Sequence, residues 1–236
     1  MTGHPSQVPR HGFFVTGTDT GVGKTLVTCA LLHAFAVRGA RVVGMKPVAA
    51  GARQSADGLR NDDVEQILAA GNVAVPRQLV NPYCFEPPVA PHIAASEAGV
   101  EIELQRIELA YRGLAQLADV VIVEGAGGFY VPLNARENTA DLAQRLGLPV
   151  LLVVGIRLGC LNHALLTAHA VRTCGLALSG WVANHVDPQM AHADSNVAAL
   201  TERFAMPPVA RIGFSSPPDP RRVATDLDLD RLGFFR

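Results

Sequence analysis

The sequence lacks a surplus of basic residues. Its 236 residues carry a formal net charge of −1 at pH 7, and charged residues make up only 17% of them. Proteins that bind nucleic acid through the phosphate backbone usually carry a clear basic surplus. We therefore expect no general nucleic-acid partner.

The sequence also lacks a long hydrophobic run. The longest strongly apolar stretch, LPVLLVVGI from Leu148, falls well short of the roughly 20 residues that a membrane-spanning helix needs. The opening residues, MTGHPSQVPRHG, are polar and lack the apolar core of a signal peptide. We expect no membrane partner, and we interpret residues 1–11 as a disordered leader.

Cysteine is sparse and shows no pattern. The four cysteines form neither a C-x-x-C pair nor a regular framework that would predict disulfides or a metal cluster. Reduced, mostly buried thiols are typical of a cytoplasmic protein. The sequence therefore predicts a cytoplasmic location.

Apolar residues, in contrast, are plentiful at 49% of the chain, and they suit one large domain spanning residues 1–236. Apolar strand-like runs alternate with helical patterns, which predicts an α/β fold with a doubly wound, mainly parallel sheet flanked by helices. The segment 80–95 is interpreted as a long loop or short turns, and the tail after Phe214 receives no assignment. The candidate strands are 12–17, 41–46, 119–124, 149–155, 178–184 and 209–213, and the candidate helices lie near 23–38, 61–70, 100–117, 138–146, 160–174 and 193–204.

Open α/β sheets bind ligands at the carboxyl ends of their strands. In this sequence polar residues lie at the carboxyl ends of five predicted strands. This arrangement points to one site at that edge of the sheet. The positions are the loop after Val15, Lys46, Glu124, the segment after Gly155, and Asn184.

The segment GTDTGVGKT, residues 17–25, lies between a predicted strand and a predicted helix. It matches the phosphate-binding pattern G-x-x-x-x-G-K-[ST] except that Thr18 occupies the first position. Backbone N–H groups of Gly21, Val22 and Gly23 would then surround a phosphate. Lys24 would face the β and γ phosphates, and the Thr25 hydroxyl would face Mg²⁺.

Three charged side chains at strand and helix ends are candidates for the same site. Glu124 ends an apolar strand before the glycines of GAGG, where an acid can serve a bound Mg²⁺. Asp63 allows two interpretations, a second carboxylate for Mg²⁺ or an acid in the first turn of a helix. Lys46 also allows two interpretations. On sequence alone a solvated surface lysine is favoured, and the alternative is a second cation near the γ phosphate that would stabilise phosphoryl transfer.

The stretch RLGCLNHALL predicts a loop followed by a helix start. Free N–H groups at Cys160, Leu161 and Asn162 would suit a carboxylate.

Taken together, FFVTGTDTGVGKT, GMKPVAAG, GLRNDD, VEGAGGFYVPL, LGCLNHALLT and GWVAN resemble the dethiobiotin synthetase family over residues 13–213. The family's phosphate loop carries the same extra residue. The resemblance implies a P-loop NTPase-like fold, a homodimer, and ATP with Mg²⁺ as cofactors. It also implies a ligase for biotin biosynthesis that closes a urea ring from 7,8-diaminopelargonate and CO₂ or bicarbonate through a phosphorylated carbamate.

The resemblance assigns roles to individual positions. It implies catalytic roles for Lys24, Lys46 and Thr20, a contact to adenine for Asn184, and a place beside the substrate for Gly127. The metal positions implied are Thr25, Asp63 and Glu124, and the positions implied for the substrate's tail carboxylate are Cys160, Leu161 and Asn162.

The chain departs from the family pattern at a few positions. Ala50 replaces a serine near the carbamate region, and Ser195 or Asn196 stands where some members carry a tyrosine for the substrate carboxylate. Two rival functions remain: a related ligase with a different amine substrate, and a partition-type switch ATPase. The second lysine that partition ATPases carry early in the phosphate loop is missing here, since GTDTGV contains none.

Overall fold

The structure, a computed structural model, describes residues 11–232. All of the expected leader except His11 lies outside this range, and His11 begins the first strand. In chain order the elements are β1 (His11–Gly17), α1 (Lys24–Val37), β2 (Val42–Met45), β3 (Val48–Ala49), β4 (Arg53–Ser55), β5 (Gly58–Arg60), α2 (Asp62–Ala70), α3 (Arg77–Val80), β6 (Tyr83–Cys84), α4 (Pro91–Glu97), α5 (Leu104–Leu117), β7 (Val120–Glu124), α6 (Thr139–Leu146), β8 (Val150–Ile156), α7 (Cys160–Thr173), β9 (Leu178–His185), α8 (Ala193–Phe204), β10 (Ala210–Ile212), α9 (Pro220–Asp226) and a short 3₁₀ helix (Leu229–Leu232).

Six strands form one parallel sheet in the order β10-β9-β8-β1-β7-β2. The chain builds outward from β1 to β2, returns to insert β7 between them, and then continues on the other side of β1 with β8. The direction of winding therefore reverses beside β1. Ligands of open α/β sheets bind at such a switch point, outside the carboxyl ends of the strands.

The central strands are apolar because helices cover the sheet. Every residue of β7 and β8 is buried, as expected for strands of a parallel sheet enclosed on both faces. Aromatic pairs join strands to helices: Phe13 of β1 stacks on Phe35 of α1, and Trp181 of β9 meets the edge of Phe204 in α8. The predicted doubly wound α/β fold is confirmed, and the six predicted strands are the six strands of this sheet.

The segment 80–95 is more ordered than the sequence suggested. Within it, β6 pairs in parallel with β3, and α4 begins at Pro91 with proline in the first turn. Proline suits that position because its missing N–H would have no helical partner there. The interpretation as a loop or turns was wrong because a two-residue strand and a seven-residue helix are too short to show periodicity.

The tail also forms helical structure that the sequence pattern did not predict. Helix α9 packs against α1, with Val223 buried, and the 3₁₀ helix buries Leu229 and Leu232. Asp219 caps α9 by accepting the N–H of Arg221 at 2.8 Å. This packing supports α1, the helix that starts at the phosphate loop.

Within residues 11–232, no helix is both long enough and apolar enough to cross a membrane.

Candidate active site

The phosphate loop turns sharply into α1 at Gly23. Gly23 has a φ of 90°, and a Cβ at this position would lie 2.3 Å from Nδ2 of Asn184. That amide, at the end of β9, donates a hydrogen bond of 2.8 Å to the carbonyl oxygen of Val22. Glycine is thus required both by the backbone conformation and by the close approach of Asn184.

Lys24 is buried under this loop. Its Nζ donates to the backbone carbonyl oxygen of Asp19 at 2.9 Å, so that the loop encircles the ammonium group. Burial, reinforced by the charge of Lys46, lowers the pKa of Lys24 to about 8 in spite of nearby carboxylates. A buried cation in this position favours the arrival of an anion.

Lys46, directly after β2, is 6% exposed, so the simpler interpretation as a surface lysine was wrong. Its Nζ lies 2.5 Å from Oε1 of Glu124 and 3.2 Å from Oδ2 of Asp63. Burial by itself would lower the pKa of Lys46, but the two carboxylates outweigh burial and raise it above its ordinary value. Lys46 and Lys24 are the only lysines in the whole sequence.

Glu124 is fully buried at the end of β7. Its Oε1 accepts the Thr25 hydroxyl at 3.0 Å as well as the Lys46 ammonium group, whereas its Oε2 has no hydrogen-bond partner within residues 11–232. A buried carboxylate oxygen without a partner is costly. Together with the hydroxyl of Thr25 and the carboxylate of Asp63, it provides the hard oxygen donors that Mg²⁺ prefers. The residues present fit a magnesium ion.

Asn61, and not Asp63, caps α2. The Asn61 side chain accepts the N–H groups of Asp63 and Val64 at 3.1 and 3.4 Å, and it donates to the carbonyl oxygen of Ala50 at 3.0 Å. The Asp63 carboxylate is consequently free of capping and points to Lys46.

A cavity of about 580 Å³ opens beside these groups. Four of the predicted catalytic and substrate residues line it: Thr20, Lys46, Ala50 and Gly127. The remaining wall comes from Asp19, Val48, Ala49, Asn61, Asp63, the Pro88–Pro91 segment, Ala126, Gly128 and Val131.

The start of α7 differs in part from the expectation. Cys160 is buried and its N–H donates to the carbonyl oxygen of Arg157 at 3.0 Å, so it is not free to bind a carboxylate. The prediction of free N–H groups at three residues was therefore wrong for Cys160, because its N–H closes a turn with Arg157. The N–H groups of Leu161 and Asn162 have no acceptor within the described part of the chain. None of the three residues lines the cavity.

Two residues near the site were not predicted from the sequence. Asn81, in the segment taken for a loop, is buried and donates from Nδ2 to the carbonyl oxygens of Lys46 at 2.7 Å and Tyr83 at 2.9 Å. Arg157, after β8, forms an ion pair of 2.5 Å with Asp19 in the phosphate loop. No local pattern marks either residue, because the contact to Lys46 and the contact to Asp19 join segments that are distant in sequence.

Comparison with known proteins identifies the family. A family model described as an AAA domain matches residues 11–220. The ATP-dependent dethiobiotin synthetase of Nitrosospira multiformis is 57% identical over 222 residues, which cover 94% of this chain and 96% of that protein. The chain belongs to the dethiobiotin synthetase family. The enzyme of the same name from Aromatoleum aromaticum is 52% identical over 217 residues, or 92% and 96% of the two chains.

Dethiobiotin synthetases are ATP-dependent ligases that form a C–N bond, and the predictions of an ATP-dependent ligase of biotin biosynthesis are confirmed at the level of the family. Solved structures share the fold at low identity. The MinD cell division protein of Aquifex aeolicus is 13% identical with a TM-score of 0.58, covering 94% of this chain and 97% of that chain. A ParA family ATPase of Chlorobium tepidum is 14% identical with a TM-score of 0.56, covering 94% and 96%. These two likenesses concern the fold alone.

Proposed function

We propose that this protein uses ATP and Mg²⁺ to convert 7,8-diaminopelargonate and CO₂ or bicarbonate into dethiobiotin, ADP and phosphate. The observation that carries the proposal is the cluster of Lys24, Lys46, Glu124 and Asp63, of which Lys46 and Asp63 line a cavity of about 580 Å³. A cavity of this size suits a small aliphatic diamine. The family relationship supports the choice of reaction.

The chemistry requires a carbamate to become a good electrophile. One amine of the substrate adds CO₂ to give the carbamate, whose oxygen accepts the γ-phosphoryl group of ATP. The second amine then attacks the carbamate carbon, the C–O bond to phosphate breaks, and the ring closes with loss of that amine's proton. Phosphoryl transfer develops negative charge on the γ phosphate, beside the cations of the site.

Lys24 and Lys46 stabilise that charge. Lys24 lies inside the phosphate loop, and Lys46 lines the cavity, so phosphoryl transfer between loop and cavity takes place between two ammonium groups. Fixed charges held away from water stabilise a transition state more than mobile solvent does. Thr20, at the cavity wall beside Gly127, orients the carbamate.

Thr25, Asp63 and Glu124 would hold Mg²⁺, with the partnerless Oε2 of Glu124 as the first ligand. When bound, Mg²⁺ would neutralise phosphate charge during the transfer. Two carboxylates and a hydroxyl are enough for this purpose. No larger group of acids, histidines or cysteines suited to a metal occurs among the described residues.

Asn184 would contact the adenine. Its Nδ2 is committed to Val22, while its Oδ1 accepts no hydrogen bond from the described residues. An unused carbonyl oxygen at the loop suits the exocyclic amine of adenine, which is a donor. The same residue would therefore fix the loop and select the base.

Leu161 and Asn162 would bind the tail carboxylate of the substrate through their N–H groups at the start of α7. Because these groups do not line the cavity, we propose that they act across a homodimer interface. Leu158 and Leu166, which are 93% and 60% exposed beside and on α7, support an interface there. Light scattering after chromatography tests it: Leu166→Glu is expected to give monomers, and an unchanged dimer would move the interface elsewhere.

Four free thiols suit a reducing compartment, and we propose the cytoplasm.

Phosphate release tests the function directly. The unaltered protein, ATP, Mg²⁺ and bicarbonate are incubated with and without 7,8-diaminopelargonate, and the products are analysed by mass spectrometry. We expect phosphate release that depends on the diamine and yields dethiobiotin. Release without the diamine would favour a switch ATPase, and release only with another diamine would favour a related ligase with altered specificity at Ala50.

A further inference from the structure

The ion pair between Asp19 and Arg157 joins two parts of the site that are far apart in sequence. Asp19 follows β1 in the phosphate loop, and Arg157 follows β8 just before α7. Nη2 of Arg157 lies 2.5 Å from Oδ2 of Asp19. The two side chains are 42% and 47% exposed, and ion pairs at such positions contribute little to overall stability.

Asp19 in turn organises the first half of the loop. Its Oδ1 accepts the N–H of Thr20 at 2.7 Å, and its backbone carbonyl oxygen accepts Nζ of Lys24 at 2.9 Å. Both of these partners belong to the proposed catalytic set. The second half of the loop is held differently, by Asn184 on Val22 and by the start of α1.

Arg157 also holds the start of α7. Its backbone carbonyl oxygen accepts the N–H of Cys160 at 3.0 Å. The main chain of Arg157 thus positions the first turn of α7, and its side chain positions the phosphate loop.

We propose that Arg157 is a positioning residue for phosphoryl transfer, acting through Asp19 on Thr20 and Lys24. This proposal rests on the proposed function, since it assigns Arg157 a role in that reaction. Without the guanidinium group, the Asp19 side chain can rotate, and the first half of the loop loses its fixed geometry. Arg157 does not contact the second half of the loop, which Asn184 and the start of α1 hold, so we expect its loss to affect nucleotide binding less than phosphoryl transfer. Misplacement of reacting groups by about 1 Å can cost up to about a hundredfold in rate.

Steady-state kinetics of Arg157→Gln, Arg157→Lys and the control Arg172→Gln test the proposal. Arg172 lies exposed near the end of α7, the helix that follows Arg157, and is outside the site. For Arg157→Gln we expect kcat to fall about tenfold to a hundredfold, with KM for ATP changed less than about threefold and the melting temperature equal to that of Arg172→Gln. Arg157→Lys, which restores the charge, should recover most of the lost kcat.

A double-mutant cycle with Asp19→Asn checks that Arg157 acts through Asp19. The asparagine keeps an oxygen for the N–H of Thr20 but loses the charge for Arg157. We expect the double variant to be no slower than the slower single variant, because residues that act as one unit are not additive. Losses that multiply would overturn the link, as would wild-type kcat in Arg157→Gln or a kcat loss matched by a large fall in melting temperature.

Dethiobiotin formation by the unaltered protein separates the two proposals. If it forms dethiobiotin and Arg157→Gln does so at the same kcat, the inference about Arg157 is wrong and the proposed function stands. If it forms none, the proposed function is wrong, and ATP turnover by the same variants then decides the role of Arg157. A rate in Arg157→Gln equal to that of the unaltered protein overturns the role, and a lower rate supports it.

Discussion

At the scale of the residue, the Lys46–Glu124 pair combines catalysis with stability. Glu124 is fully buried, and Lys46 is its main compensating charge. A buried carboxylate without a partner costs far more than a surface one. Lys24 is different because its Nζ contacts a neutral carbonyl oxygen of Asp19.

The two lysines should therefore respond differently to Lys→Met. We expect both variants to lose turnover, but Lys46→Met should also lower the free energy of unfolding by about 3–5 kcal/mol, as measured by urea denaturation without Mg²⁺. Lys24→Met should lower it by less, since no carboxylate is stranded. Adding Glu124→Gln to Lys46→Met should restore much of the stability but no turnover. Equal stability of Lys46→Met and the unaltered protein would contradict the ion pair.

Alanine substitutions at two glycines of the phosphate loop can be compared directly. Both Gly21 and Gly23 have positive φ, but a Cβ meets nothing within 4 Å at Gly21 and meets Asn184 at Gly23. Gly21→Ala should cost about 1 kcal/mol of backbone strain and leave nucleotide affinity nearly intact. Gly23→Ala also breaks the hydrogen bond from Asn184 to Val22, and we expect at least about tenfold weaker binding. Calorimetric titration with a non-hydrolysable ATP analogue measures both, and equal affinities would show that Asn184 has no role in binding.

At the scale of the element, the start of α2 sets the position of a carboxylate. Asn61 caps the helix and also holds the backbone of Ala50, so one side chain fixes both Asp63 and a wall of the cavity. The local sequence GLRNDD allows either Asn61 or Asp62 as the cap. It could not decide between them, because the contact to Ala50 is a tertiary one.

Asn61→Ala should lower the free energy of unfolding by about 1 kcal/mol and raise KM for the diamine, because the Ala50 wall loses its anchor. Asn72 offers the control: its side chain also bridges two backbone groups, accepting from Val42 and donating to Ala40, but it lies away from the cavity. Asn72→Ala is expected to lower stability without changing KM. Similar KM values in both variants would remove Asn61 from the substrate site.

The strands and long helices could be predicted from the sequence because long apolar runs and long periodic segments report burial directly. Helix α9 could not, since the seven-residue PRRVATD buries only Val223 and depends on its packing against α1. The same difference between local patterns and tertiary contacts separates the residues of the site. Lys24, Thr25 and Glu124 belong to local motifs, whereas Asn81 and Arg157 become visible only when the fold brings distant segments together.

At the scale of the whole molecule, the fold buries its four thiols to different degrees. Cys29 and Cys160 are buried, and Cys84 and Cys174 are partly exposed. Burial raises the pKa of the Cys29 thiol to about 12, which keeps this thiol protonated and unreactive well above neutral pH.

We expect a chromogenic disulfide reagent at pH 8 to modify two thiols of the folded protein and all four after unfolding in guanidinium chloride. Raising the pH from 7 to 9 should leave Cys29 unmodified, since the pH stays well below the pKa of about 12 of that thiol. Peptide mapping identifies the labelled residues. Rapid labelling of Cys29 in the folded protein would mean that α1 opens far more readily than its packing suggests.

The confinement of both lysines to the site has a practical consequence. The other 18 basic residues apart from histidine are arginines, so the outer surface offers cationic charge but almost no primary amine. An acylating or reductively alkylating reagent therefore has the terminal amine, Lys24 and Lys46 as its targets, and Lys24, with its lowered pKa, becomes an unprotonated nucleophile at mild pH. A small amine-reactive reagent that entered the site and modified Lys24 or Lys46 would silence this protein, whereas coupling through Cys174 would leave the site untouched.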